Sequence, residues 1–285
     1  MGGIRSTQGR NVFAKKSLGQ NFLVDKAAIT KIANGIHSGI PLLLEIGPGR
    51  GALSTELFPK TEKFCALEKD DIFAKEIAET IFVHGSRNHT VFHADALEFD
   101  WERIWLESGS APGTPLAVCA NLPYNVATEI FFRLLNLRDR IPLMVLMFQK
   151  EVAERLAAKE GSRNSGVLSV AAQNFYVVKL QQILKPGAFR PSPKVESAVL
   201  EFHRREKPLI PFVTKEEFEA FLNLVRAAFA HRRKTLLNSL AMELGHITKL
   251  ELEKRLLALD IDPIRRAETL TIEEFGRLYE GVKPR

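Results

Sequence analysis

The sequence predicts an α/β protein with a mostly parallel sheet, followed by a small all-helical C-terminal domain. Three observations carry this. Short continuous apolar runs alternate with helical patterns; the first such run ends in a glycine-rich loop that opens a helix; and after Pro211 only helical patterns are found. Strands separated by helices form parallel sheets through right-handed crossovers.

The elements follow in order. Residues 1–20 are polar and basic and read as a solvated arm. Asp25 is a candidate N-cap for a helix whose apolar face is Ala28, Ile29, Ile32, Ala33 and Ile36. Residues 42–46 form a run typical of a strand buried on both faces, and the Gly-Pro-Gly-Arg-Gly turn after it passes into a helix beginning at Ala52. Further strands are expected at 64–67, 90–94, 115–120 and 142–148, with helices over 72–81, 125–135 and 149–158. Residues 196–203 alternate and read as a late strand. A change of character near Lys207-Pro208 divides the chain into a 1–206 domain and a 207–285 helical domain. Two helices of the latter open with capping-box patterns, Thr214 to Glu217 and Thr271 to Glu274.

Composition narrows the class. Among 285 residues, 45% are hydrophobic and 26% charged, which fits a soluble globular protein. Forty Lys and Arg against 34 acids give a net charge of +6, which suits a polyanionic partner without requiring one. No apolar run reaches the ~18 residues of a membrane span, and the basic start lacks the apolar stretch of a signal peptide. The two cysteines, Cys65 and Cys119, sit in apolar runs and read as buried reduced thiols, so a cytoplasmic location is expected. Neither lies at metal-ligand spacing, and no metal site is expected.

The strand-to-helix loop Glu45-Ile-Gly-Pro-Gly-Arg-Gly51 is the sharpest local feature. Gly47, Gly49 and Gly51 permit a tight turn and close approach to a ligand. Glu68, 19 residues after Gly49, ends the second strand, where an acid can accept both ribose hydroxyls of a nucleoside. Asp95 ends the third and could accept a hydrogen bond from an adenine amino group. A dinucleotide and S-adenosylmethionine both fit such a loop. The spacing G-x-G-x-G, an acid two residues ahead and the strand-end carboxylates suit the cationic sulfonium better than a pyrophosphate.

Asn121-Leu122-Pro123-Tyr124 follows the fourth strand. An exocyclic amine is a poor nucleophile because its lone pair is delocalised into the ring. The Asn121 oxygen and the Leu122 carbonyl can accept its two N–H groups and draw the nitrogen toward tetrahedral geometry. Pro123 fixes the turn, and Tyr124 offers a face for stacking an extruded base. The proton leaves an already cationic amine, so no strong base is needed. By itself the motif marks amino-methyltransferases of adenine, cytosine or glutamine, in DNA, RNA or protein.

Several segments together resemble the ribosomal RNA adenine dimethyltransferase family, in particular its bacterial small-subunit branch. They are Lys15-Lys16-Ser-Leu-Gly-Gln-Asn-Phe-Leu23, Glu45 to Gly49, Asn121 to Tyr124, Phe148 to Leu156, Phe189-Arg-Pro-Ser-Pro-Lys-Val195 and Phe229 to Leu236. The resemblance implies a Rossmann-like class I methyltransferase with a seven-stranded sheet and S-adenosylmethionine as cofactor. Carried over by motif, Asn21, Leu23, Gly47, Gly49, Glu68, Asp95 and Asn121 would contact the cofactor. Tyr124 and Phe189 would sandwich the target adenine. The implied reaction is N6,N6-dimethylation of two adjacent adenosines in the 3′-terminal hairpin of 16S rRNA, on the assembling 30S subunit, by a monomer. Lys15 and Lys16 of the arm, with a cationic run on a helix comprising Arg226, Arg232, Arg233 and Lys234, are the expected RNA contacts. Arg50 departs from the apolar residue expected there and is expected to face outward.

Overall fold

The computed structural model describes residues 20–80 and 88–283. Lys15, Lys16 and the rest of the arm through residue 19 lie outside the described residues, as does residue 81, where the expected 72–81 helix was to end.

In chain order the elements are β1 (Phe22–Leu23), α1 (Lys26–Asn34), β2 (Ile40–Ile46), α2 (Ser54–Leu57), β3 (Thr61–Glu68), α3 (Asp71–Thr80) and β4 (His89–His93). Then come α4 (Arg103–Glu107), β5 (Leu116–Asn121), α5 (Ala127–Leu135), β6 (Leu143–Gln149), α6 (Lys150–Leu156) and α7 (Val167–Phe175). The sheet is completed by β7 (Tyr176–Leu184) and β9 (Ser197–Arg204), with β8 (Phe189–Arg190) between them. Four helices follow: α8 (Lys215–Phe229), α9 (Leu236–Glu243), α10 (Lys249–Ala258) and α11 (Ile272–Val282).

The main sheet is seven-stranded in the order β4-β3-β2-β5-β6-β9-β7. β4 through β6 pair in parallel, while β9 runs antiparallel to both neighbours. The chain winds outward from β2 to β4 and then returns to β5 on the other side of β2. This reversal creates a crevice at the C-terminal ends of β2 and β5, where open α/β sheets bind ligands.

Strand residues alternate between two cores, as a period of two requires. Leu42, Leu44 and Ile46 of β2, with Val118 and Ala120 of β5, join the core under α5, α7 and the C-terminal helices. Leu43, Ala117, Cys119 and Val145 point the other way, to Ile29, Ile32 and Ala33 of α1 and Leu57 of α2. Both faces are covered, so these strands read as unbroken apolar runs.

The expected 207 boundary does not divide the core. Phe175 of α7 packs edge-on against Phe218 of α8 at 5.0 Å and near Phe212 at 6.4 Å. The buried Arg138 places its guanidinium 4.3 Å over Phe175 and 5.3 Å over Phe218. Asn174 bonds Ile210 through both ends of its amide. The helical lobe shares one continuous apolar cluster with one face of the sheet.

Other details depart from the sequence reading. The helix after the glycine loop is only four residues long and gives way to a 3₁₀ turn at Phe58–Lys60, where Pro59 lacks the N–H to continue. The residue patterns had not revealed β7, α4, α7 or the small β1–β8 sheet. Thr271 and Glu274 form the full reciprocal capping box. At α8, Glu217 instead accepts from the Val213 N–H, one residue before the Thr214 cap. The cationic run at 231–234 is a turn between α8 and α9, closed by a bond from the Lys234 N–H to the His231 carbonyl, and not part of a helix. Thr235 caps the next helix and so ends the turn.

Candidate active site

One cleft of about 330 Å³ opens at the ends of β2, β3, β4 and β5. It is lined by Asn21, Leu23, Gly47, Gly49, Glu68, Asp95, Asn121, Leu122, Pro123 and Tyr124. These residues are scattered over a hundred positions of sequence. The parallel sheet brings those from Gly47 to Tyr124 together because each ends or follows one of its strands, while Asn21 and Leu23 come from the segment at β1.

The loop after β2 turns with Gly47, Gly49 and Gly51 at φ of 66°, 54° and 74°. A Cβ on Gly49 would stand 3.0 Å from the Phe22 ring, so that position is closed to side chains twice over. The Gly49 N–H, which in a dinucleotide site would face a pyrophosphate, donates to Glu68 Oε2 at 2.9 Å. The other Glu68 oxygen accepts from the Asp70 N–H at 2.8 Å. Burial raises the Glu68 carboxyl above its ordinary range, and these backbone bonds oppose the rise. Glu45, beneath the loop, accepts from Ser54 Oγ at 2.5 Å. Its burial, only partly offset by that bond, pushes its pKa up to about 8.

This donor set fits S-adenosylmethionine. The loop amide is committed to a carboxylate, carboxylates lie at the ends of β3 and just beyond β4, and the cavity is of small-nucleoside size. Glu68 keeps lone pairs beyond its two backbone bonds, and Asp95 lines the same cleft.

Asn121 ends β5 beside the glycine loop: a Cβ on Gly47 would lie 3.9 Å from its backbone oxygen. The Asn121 amide nitrogen donates to the Asn21 carbonyl at 3.0 Å. A carbonyl only accepts, so this contact fixes which end of the amide is which and leaves Oδ1 as the acceptor for a ligand. The Tyr124 hydroxyl shares a 2.5 Å hydrogen bond with Ser197 Oγ at the start of β9. Ser197 is fully buried, so the Tyr124 ring is anchored at its polar tip.

Phe189 does not lie on this cleft. It is fully buried, pairs with Leu23 in the β1–β8 sheet and packs in the core below α1. The strand pairing turns its ring inward, leaving Tyr124 as the aromatic face of the catalytic motif.

Residues outside the expected set also line the cleft, among them Glu45, Phe22, Lys69 and Arg50. Phe22 packs edge-on to Phe73 at 5.2 Å, and the exposed Arg50 lies 5.1 Å over its other side. The signals are present in the sequence: Phe22 lies in the 15–23 motif, Glu45 opens the 45–51 loop, and Lys69 directly follows Glu68.

On the helical lobe, Arg226, Arg233 and Lys234 are exposed. Arg226 bonds Asn223 Oδ1 at 2.6 Å and pairs with Glu219 at 3.8 Å. Arg232 is exposed as well and differs only in its partners. It donates to the carbonyls of Arg163 and Ser165, at 3.0 and 3.3 Å, and so ties the turn to the loop before α7.

Comparison with known proteins agrees with this geometry. Residues 11–282 match the family described as ribosomal RNA adenine dimethylase. A protein of Geobacillus sp. (strain WCH70), named ribosomal RNA small subunit methyltransferase A, is 42% identical over 94% of this chain and 91% of its own. Its namesake from Syntrophotalea carbinolica is 40% identical over 95% and 97%. A dimethyladenosine transferase from Plasmodium falciparum superposes with a TM-score of 0.77 at 26% identity, covering 90% of this chain and 95% of the other. The 23S rRNA methyltransferase ErmE shares the fold, with a TM-score of 0.66 at 24% identity over 92% and 99%. A match along nearly the whole chain and relatives at 40–42% identity place it in one family: the chain belongs to the ribosomal RNA adenine dimethylase family and is an S-adenosylmethionine-dependent methyltransferase of rRNA.

Proposed function

We propose that this chain transfers methyl groups to N6 of two adjacent adenosines in the 3′-terminal hairpin of 16S rRNA, on the assembling 30S subunit, working as a cytoplasmic monomer. The observation that carries the chemistry is the Asn121 amide, whose nitrogen is held by the Asn21 carbonyl and whose oxygen is left to accept an amino N–H. The small-subunit substrate is supported by relatives of that name at 40–42% identity along nearly the whole chain.

S-adenosylmethionine supplies the electrophilic methyl. In this reading Gly47, Gly49, Asn21 and Leu23 enclose the cofactor, Glu68 holds its ribose and Asp95 its adenine amino group. Asn121 Oδ1 and the Leu122 carbonyl accept the N–H groups of the target, while Pro123 holds the turn. Tyr124, steadied by Ser197, stacks on the extruded base. The nitrogen would become cationic as it gains the methyl, the S–CH3 bond breaking and S-adenosylhomocysteine leaving, and would then lose a proton to water. Residues 1–206 form the catalytic unit; residues 207–285, with Lys15 and Lys16 of the arm, bind RNA. Arg226, Arg233 and Lys234 meet phosphates.

Purified protein, methyl-labelled S-adenosylmethionine and unmethylated 30S subunits, followed by nucleoside mass spectrometry, test this reading. Dimethyladenosine is expected in 16S rRNA and not in 23S rRNA or DNA. Transfer to 23S rRNA instead would overturn the substrate assignment, and cofactor binding without transfer would overturn the catalytic one.

A further inference from the structure

The adenine end of the cleft carries a side chain that the reaction does not call for. Lys69 follows Glu68 at the end of β3 and lines the cleft with Asp95. Its ammonium lies 2.5 Å from Asp95 Oδ2. The other oxygen, Oδ1, accepts from the Leu97 N–H at 2.9 Å. Thus one Asp95 oxygen is committed to the backbone and the other to a lysine of the same chain. The lysine side chain is 56% exposed and that of Asp95 24%. The pair therefore sits at the rim, where solvent reaches it and where exchange of partners is cheap.

We propose that Lys69 is a displaceable latch on the adenine subsite, occupying the Asp95 oxygen that would otherwise receive the adenine amino group, and that it sets the affinity and base discrimination of that subsite. The inference rests on the reading of Asp95 as the adenine acceptor. An ammonium and an exocyclic amino group are both hydrogen-bond donors with positive hydrogens. Each carboxylate oxygen can accept two hydrogen bonds, but an amino group arriving beside the ammonium meets its positive charge, so the amino group binds best as the ammonium leaves. A ligand with a carbonyl at the same ring position behaves oppositely. Against bare Asp95 it places oxygen on oxygen, but a retained Lys69 can bridge the two acceptors. The lysine therefore lowers affinity for a 6-amino purine and softens rejection of a 6-oxo purine.

The test is calorimetric titration of the full chain with S-adenosylhomocysteine and with S-inosylhomocysteine, in wild type and in Lys69→Met. The substitution keeps the unbranched stem and removes the charge. An exposed pair of this kind corresponds to a change of about two- to fivefold in affinity. Lys69→Met is expected to bind the adenosyl ligand more tightly by that factor and the inosyl ligand more weakly, widening the ratio between them. In an Asp95→Asn background the lysine substitution is expected to leave the adenosyl affinity unchanged, since the latch has lost its partner. Weaker adenosyl binding by Lys69→Met would overturn the proposal, showing that Lys69 covers the adenine and does not compete with it. Unchanged affinities for both ligands would overturn it as well. If wild type binds S-adenosylhomocysteine but Asp95→Asn leaves that affinity unaltered, the reading of Asp95 itself fails, and the latch fails with it.

Discussion

The cofactor cleft and the helical lobe hold their shapes by different means. At the cleft the backbone does it: three glycines at positive φ, a loop N–H given to Glu68, and a side-chain amide tied to the Asn21 carbonyl. In the lobe side chains do it. Phe212, Phe218 and Phe221 stack into the face they share with Phe175, Arg138 bridges two of the rings, and threonine caps start α8 through α11. A change in the cleft should therefore act on ligands, and a change under the lobe should act on the whole fold.

The strongest challenge to that contrast is Phe218→Ala. Phe218 is almost fully buried where the lobe meets the sheet, and truncation of such a ring costs about 3–5 kcal/mol. Because the core is continuous, denaturant unfolding followed by near- and far-UV dichroism is expected to show one transition at lower midpoint. Two separated transitions would mean that the lobe is an independent unit. Asn121→Ala is the counterpart in the cleft. Turnover is expected to fall by about 10²–10³-fold, on the scale of losing one preorganised polar partner, with the unfolding midpoint held. A comparable loss of stability would blur the distinction.

Gly49→Ala should be intermediate. Its left-handed backbone and the 3.0 Å approach to Phe22 make the substitution cost about 1–2 kcal/mol, and the loop that must receive the cofactor absorbs it. Cofactor affinity measured by calorimetry is expected to drop more than thermal stability. Next in size is a salt effect. Arg233→Ala with Lys234→Ala should reduce the slope of log affinity for RNA against log salt by about 2, whereas Arg232→Ala should change it little and lower the unfolding midpoint instead. A slope reduced by about 1 in Arg232→Ala would return Arg232 to the RNA surface.

The smallest expected effect is on pH. Glu45 has a folded pKa of about 8 against an ordinary 4.5, so the folded state holds its proton longer than the unfolded chain does. Stability from this group is full below about pH 4.5 and is lost as pH rises toward 8. Glu45→Gln should flatten that part of the stability profile. A cationic ligand favours the carboxylate, so cofactor binding near neutral pH should release protons, read from calorimetry in buffers of differing ionisation heat. No proton release would detach Glu45 from the bound charge.

The parallel half of the sheet was legible because its central strands, β2 and β5, are apolar on both faces and run into the glycine loop and the Asn121 turn. The edge was harder. β7 reads Tyr-Val-Val-Lys-Leu-Gln-Gln-Ile-Leu, with several residues exposed and an irregularity between Leu180 and Gln182, so neither alternation nor a continuous apolar run marks it. Cleft residues supplied by strand ends were visible one motif at a time. Phe189 was misplaced because a motif gives residue type and not the direction of a ring, which the pairing of β8 with β1 decides. The role of Arg232 was hidden for a related reason: three adjacent cations look alike until two backbone carbonyls claim one of them.

The contact between Asn121 and the Asn21 carbonyl also bears on how many methyl groups the site will accept. In the reaction proposed above, the amide, with its donor end turned away, would face a target amine as an acceptor alone and would hold only nitrogens that still carry hydrogen. Adenosine has two such hydrogens, the monomethylated base has one, and the dimethylated base has none. Each turnover would then remove one reason for the base to stay, so the site would count by exhaustion: after the second methyl the product has no N–H left to offer, and the oxygen would return to water.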